Sequence, residues 1–161
     1  MLFGRRRFDP QPTAQAGVLL ATTGEPFSKA AIRRAHELAA GEPVAVLAIL
    51  KVYGSQFGLP NPGLLPTRRE REEAFALVRR AIDALERRGG SADGQIAATR
   101  SAARTIAKVA RVRKVRFVIM DNHEQSGVSR VIQGSVTGTV RRKLASGTEL
   151  ELVAAPARPR P

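Results

Sequence analysis

Short apolar runs alternate with helix-period patterns along the middle of the chain. Gly17-Val18-Leu19-Leu20-Ala21-Thr22 is nearly continuous in apolar character, as a strand covered on both faces should be. A helix is predicted from Ser28, an N-capping residue, with Ile32, Ala35 and Ala39 on one face and Gly41 closing it. Val44 to Val52 reads as a second buried strand, and a Gly/Pro-rich loop runs from Gly54 to Pro66. Thr67 and Glu70 have the spacing of a capping box, and Phe75, Val78, Ile82 and Leu85 follow at helical spacing until Gly89-Gly90. Gln95 to Thr99 is a short strand, and Ser101 is placed to cap a third helix that carries Ile106 and Val109 toward the core. Val115 to Met120 is a fourth strand, Ser135 to Leu144 a fourth helix and Glu149 to Val153 a fifth strand.

Strands alternating with helices over short links imply an α/β domain with a mainly parallel sheet and right-handed crossovers. Ligands of such sheets sit outside the carboxyl ends of the strands, where strand order reverses. That geometry makes Thr22-Thr23-Gly24 and Asp121 to Ser135 the walls of one crevice. The domain is expected over residues 15–155. A basic tail covers 1–14, and an Arg/Pro tail covers 156–161; neither buries enough apolar surface to offset its chain entropy.

Charge changes this picture more than length does. The 161 residues carry a formal net charge of +13, and arginine outnumbers lysine 22 to 5. A field of that sign attracts polyanions, so nucleic acid stands as an alternative partner. Abundant Arg, Ala, Gly and Pro also fit a compositional bias without functional meaning. Tyr53 is the only tyrosine and tryptophan is absent, which leaves few platforms for base stacking.

There is no cysteine, hence no disulfide or thiolate site, and no apolar run approaches the ~18–20 residues that cross a bilayer. A cytoplasmic protein without membrane association is expected. With His36 and His123 the only histidines, and no Gly-x-Ser-x-Gly elbow, a hydrolytic triad has little to build on, and no catalytic residue is assigned. Asp121, His123 and Glu124 are potential metal ligands. Neighbouring loop positions seldom converge on one ion, so no metal site is assigned either. Arg104, Lys108 and Arg111 share a face of the third helix. With Arg113, Lys114, Arg116, Arg141, Arg142 and Lys143 they form either a basic patch or ordinary solvated faces.

The stretch Val118-Ile119-Met120-Asp121-Asn122-His123-Glu124, continuing through Ser126-Gly127 and Arg130 to Gly134-Ser135-Val136, resembles the signature of the universal stress protein family. The resemblance extends to Thr22-Thr23-Gly24-Glu25 in the first strand and covers about residues 16–155. It implies a Rossmann-like, five-stranded parallel sheet between helices, of the adenine nucleotide alpha hydrolase type, often dimeric through the last strand. It also implies either ATP binding or no nucleotide at all, according to the branch. In the nucleotide-binding branch three loop glycines approach the ribose and phosphates. Those positions fall here on Asp121, Glu124 and Gly134, with Ser135 and Val136 next, and the family's adenosine-end aspartate falls on Thr23.

Two effects then oppose a triphosphate. A non-glycine residue held at positive φ costs roughly 1–2 kcal/mol. A carboxylate about 4 Å from a phosphate charge costs about 1 kcal/mol in water and about 4 kcal/mol at an effective dielectric near 20. A bridging divalent ion would reverse the second sign. Gly134-Ser135 at a helix start suits an anion through its backbone N–H groups, or serves only as turn and cap. The expectation is therefore a non-catalytic stress-response regulatory or interaction module, homodimeric, with an unidentified protein partner and weak or absent ATP binding. The alternative is a nucleotide-dependent switch.

Overall fold

The structure is a computed structural model that describes residues 12–52, 55–56, 59–60, 65–122 and 136–154. Five parallel strands form one sheet in the order β5-β2-β1-β6-β7: β1 (Val18–Thr22), β2 (Val44–Lys51), β5 (Ala92–Thr99), β6 (Phe117–Asn122) and β7 (Glu149–Ala154). Two short strands, β3 (Ser55–Gln56) and β4 (Leu59–Pro60), pair antiparallel within the Gly/Pro-rich connection. The helices are α1 (Lys29–Ala39), α2 (Arg68–Arg87), α3 (Ala102–Val112) and α4 (136–143).

Strand order explains which helix covers which face. The chain steps from β1 to β2 to β5 in one direction, then returns across β1 to place β6 and β7 on the other side. A right-handed crossover taken in opposite directions puts its helix on opposite faces. Accordingly Val18, Leu20, Val44 and Val46 pack with α1 and α2, whereas Leu19, Ala21, Leu47 and Ile49 pack with α3 and Val140 of α4. Every residue of β1 is buried, so its unbroken apolar run is what two covered faces require. Leu20 lies in register with Val46 on one side and Ile119 on the other.

Caps set the helix ends. Ser28 Oγ accepts from Ala31 N–H at 3.0 Å, and Thr67 and Glu70 form the complete capping box. Ser101 occupies the N-cap position of α3 but makes no side-chain cap bond; its own N–H donates to Thr99 Oγ1 at 3.1 Å. The left-handed turn after α1 begins at Ala40 (φ 48°), one residue before Gly41. Phe75 does not join the core face of α2. The buried stripe runs through Ala74, Val78, Ala81, Ile82 and Leu85, which leaves Phe75 41% exposed, about 100° around the helix from Ala74.

Arg113 departs furthest from the pattern reading. It is 1% exposed, and its guanidinium donates to both carboxylate oxygens of Asp93 at 2.8 and 2.5 Å and, through Nε, to the carbonyl of Ala14. It therefore belongs to no surface patch. The same residue's carbonyl accepts from Ala16 N–H at 2.9 Å, so one buried arginine fastens the segment entering β1 to edge strand β5. Pro12, three residues before the expected domain start, is already buried. At the other edge, Arg34 of α1 grips Glu151 of β7 with two bonds of 2.5 and 3.3 Å.

Candidate functional site

The reversal of strand order falls between β1 and β6, and their carboxyl ends carry Thr22-Thr23 and Asp121-Asn122. β6 runs two residues further than the apolar run suggested, so Asp121 is a strand residue in register with Val153. Its backbone is not left-handed; among the described residues the non-glycine positions with positive φ are Ala40 and Lys114. The backbone strain expected of a side chain at position 121 is absent for that reason.

What Asp121 does with its charge is the defining feature of the crevice. Ser28 N–H donates to Asp121 Oδ2 at 2.8 Å, and the Ser28 hydroxyl donates to Asp121 Oδ1. The same hydroxyl oxygen accepts from Ala31 N–H. A relay thus runs from the first turn of α1 through Ser28 to the carboxylate. Orphan N–H groups and the helix dipole make a helix N-terminus attractive to an anion. Here the chain supplies that anion from its own strand, 93 residues away in sequence.

The loop between β1 and α1 is folded to match. Thr22, 8% exposed, donates its hydroxyl to the Glu25 carbonyl at 2.6 Å, and Gly24 takes φ 121°, a conformation that side chains rarely adopt. Phe27 packs against the α1/α2 core. The turn therefore delivers Ser28 to Asp121 from a closed loop.

Two cavities flank Thr23. The one between β1 and β6, lined by Thr22, Thr23, Asp121, Val136 and Thr137, holds only about 10 Å³, at or below the space of one water. The other, about 190 Å³, opens at the ends of β1 and β2 beneath the first turns of α2. Its walls include Thr23, Gly24, Leu50, Lys51, Glu70 and Glu73. Small-molecule sites commonly enclose about 300–1,000 Å³, so this is a shallow seat. Its two carboxylates already have local work: Glu70 accepts from Thr67 N–H at 2.7 Å, and Glu73 pairs with Arg69 at 3.1 Å.

Thr23, Asp121 and Val136 line one small gap. His123, Glu124, Gly134 and Ser135 lie outside the described residues. Among the described residues no cluster of three or more His, Cys, Asp or Glu side chains is placed to hold a metal ion. Nor is any helix among them long and apolar enough to cross a membrane. Sequence reasoning had not connected Ser28 to Asp121. The signal for it was the adjacency of β1 and β6, which sets the start of the helix after β1 beside the end of β6.

The Universal stress protein family model matches residues 17–145. Among solved structures, a universal stress protein from Archaeoglobus fulgidus aligns with TM-score 0.64 and 16% identity, over 86% of this chain and 93% of that one. The Archaeoglobus fulgidus protein in complex with dAMP aligns with TM-score 0.60 and 16% identity, over 85% and 96%. A universal stress protein in complex with cAMP aligns with TM-score 0.62 and 18% identity, over 89% and 99%. At these identities the likeness is one of fold. No curated protein matches the chain in sequence.

Proposed function

Because the chain belongs to the universal stress protein family, we propose that it is a non-catalytic regulatory module that binds adenine nucleotide weakly or not at all. One observation carries this reading. The carboxylate of Asp121 sits at the switch point and is tied to Ser28, where nucleotide binding would call for bare backbone. Two relatives of this fold were captured with dAMP and with cAMP, so the architecture accommodates adenine nucleotides elsewhere. In this chain the gap beside Asp121 is about 10 Å³, and Thr23 offers no carboxylate to the adenosine end. The Asp121 carboxylate near a triphosphate, at about 1–4 kcal/mol, would remove a sizeable part of the roughly 8 kcal/mol that micromolar affinity represents.

In this reading the protein works in the cytoplasm as a homodimer that meets a further protein partner. The dimer would form along β7, which among the described residues pairs only with β6. Mass spectrometry of the protein purified from cells, with calorimetry against ATP and Mg²⁺, tests the ligand claim. No stoichiometric adenine nucleotide and no saturable ATP binding are expected; ATP retained at one molecule per chain would establish the nucleotide-dependent switch instead. Light scattering at graded concentrations tests the dimer.

A further inference from the structure

Charge is divided between the two helical layers in a way that overall composition does not require. The α1/α2 layer mixes signs: Arg34 pairs with Glu37 and Glu151, Arg68 with Glu72, and Arg69 with Glu73. The α3/α4 layer contains no carboxylate. Of the 14 Asp and Glu residues in the chain, none falls between Asp93 and Asp121 or between Glu124 and Glu149. Arg104, Lys108 and Arg111 of α3 are exposed, as are Arg141, Arg142 and Lys143 of α4, and both helices pack on the same face of the sheet. A general surplus of arginine would scatter over both layers. It would not clear every acid from one of them.

We infer that the outer face of α3 and α4 is a docking surface for the phosphate backbone of duplex nucleic acid. Arg104, Lys108 and Arg111 rise along one side of α3 over roughly 10 Å, at 1.5 Å per residue. A duplex presents one phosphate charge per roughly 1.7 Å of axis, so several phosphates face that row at once. The apolar face of α3 (Ile106, Val109, Ala110) is buried against the sheet, and the large apolar side chain it exposes is Val112. A helix that enters a membrane surface needs an apolar face free to do so, which disfavours anionic lipid as the occupant. The chain has no tryptophan and a single tyrosine, which disfavours unstacked single strands. The surface reads charge and shape and carries no base-specific element.

The test separates this face from net charge. Arg104→Gln/Lys108→Gln/Arg111→Gln on α3 and Arg71→Gln/Arg79→Gln/Arg87→Gln on α2 each lower the formal charge from +13 to +10 at exposed positions. Binding of the full chain to a 20-base-pair duplex is followed by fluorescence anisotropy from low salt to about 150 mM. Circular dichroism confirms that both variants fold. Six phosphate contacts predict a slope of log affinity against log salt near about −5. The α3 variant should halve that slope and lose more than about tenfold in affinity at 150 mM salt, while the α2 variant loses less than about threefold. Equal losses in the two variants would overturn the inference. So would binding that vanishes by 150 mM, tighter binding to the single strand, or anionic vesicles binding where the duplex does not. If the α3 variant fails to fold, Arg141→Gln/Arg142→Gln/Lys143→Gln on α4 carries the same expectation.

Discussion

Replacing Arg113 with Met removes a buried cation from beneath the entry to β1. The guanidinium makes two bonds to Asp93 and one to the Ala14 carbonyl, and the residue is 1% exposed. Removing one partner of a buried ion pair typically destabilises by about 3–5 kcal/mol, because the other charge stays without compensation. Asp93 retains 28% side-chain exposure, so water reaches its carboxylate, and a cost at or just below the bottom of that range, about 2–3 kcal/mol, is expected. Loss of the bond to Ala14 adds roughly 1 kcal/mol. Urea unfolding should therefore show a destabilisation of about 3–4 kcal/mol with little change in slope. Pairing Arg113→Met with Asp93→Leu should recover most of that loss, since two apolar groups of similar volume often match a buried ion pair. Hydrogen exchange should meanwhile speed up at Ala16, whose amide bonds to the Arg113 carbonyl. A single variant within about 0.5 kcal/mol of the parent would refute the argument. It would mean that Asp93 is solvated as well without its arginine as with it.

Ser28→Ala removes both the α1 cap and the bond from its hydroxyl to Asp121, and about 2 kcal/mol of stability should go with them in chemical denaturation. Ala40→Gly should act in the opposite direction. Ala40 is exposed with φ 48°, so glycine relieves a left-handed conformation without losing packing, and the melting temperature should rise by the equivalent of about 1 kcal/mol. Restoring the family pattern with Thr23→Asp/Asp121→Gly/Glu124→Gly should raise ATP affinity by at least about tenfold in calorimetry, since one carboxylate–phosphate contact is worth about 1–4 kcal/mol.

The layered architecture was legible because its signals are local and period-bound. The run from Val18 to Thr22 has the length and apolar continuity of a strand covered twice, and Thr67 with Glu70 announces a helix start in four residues. Phe75 was misassigned because an alanine stripe (Ala74, Ala81) carries the core face of α2, and small residues give weak periodicity. Arg113 was grouped with its basic neighbours by charge, although it continues the buried stripe of Ile106, Val109 and Ala110 at helical spacing. Its partner Asp93 lies in the stretch of β5 that pattern reading omitted, because Asp93 and Gly94 are poor strand formers. The Ser28–Asp121 contact needed the strand order, which no local window contains.

That contact links the fold to the function proposed for it. A strand end facing a helix start is electrostatically incomplete: the helix offers donors and partial positive charge, and something negative must answer. A nucleotide-dependent protein can leave part of that demand to its ligand and accept a looser crevice when empty. This chain answers from within, through a carboxylate at the end of β6 beside a gap of about 10 Å³. Internal satisfaction and ligand binding at this point draw on the same donors, so strengthening one weakens the other. On the function proposed above, a domain so completed would hold the same surface whether nucleotide is scarce or plentiful. Such constancy suits a docking module whose partners read its outer helices and not the state of its crevice.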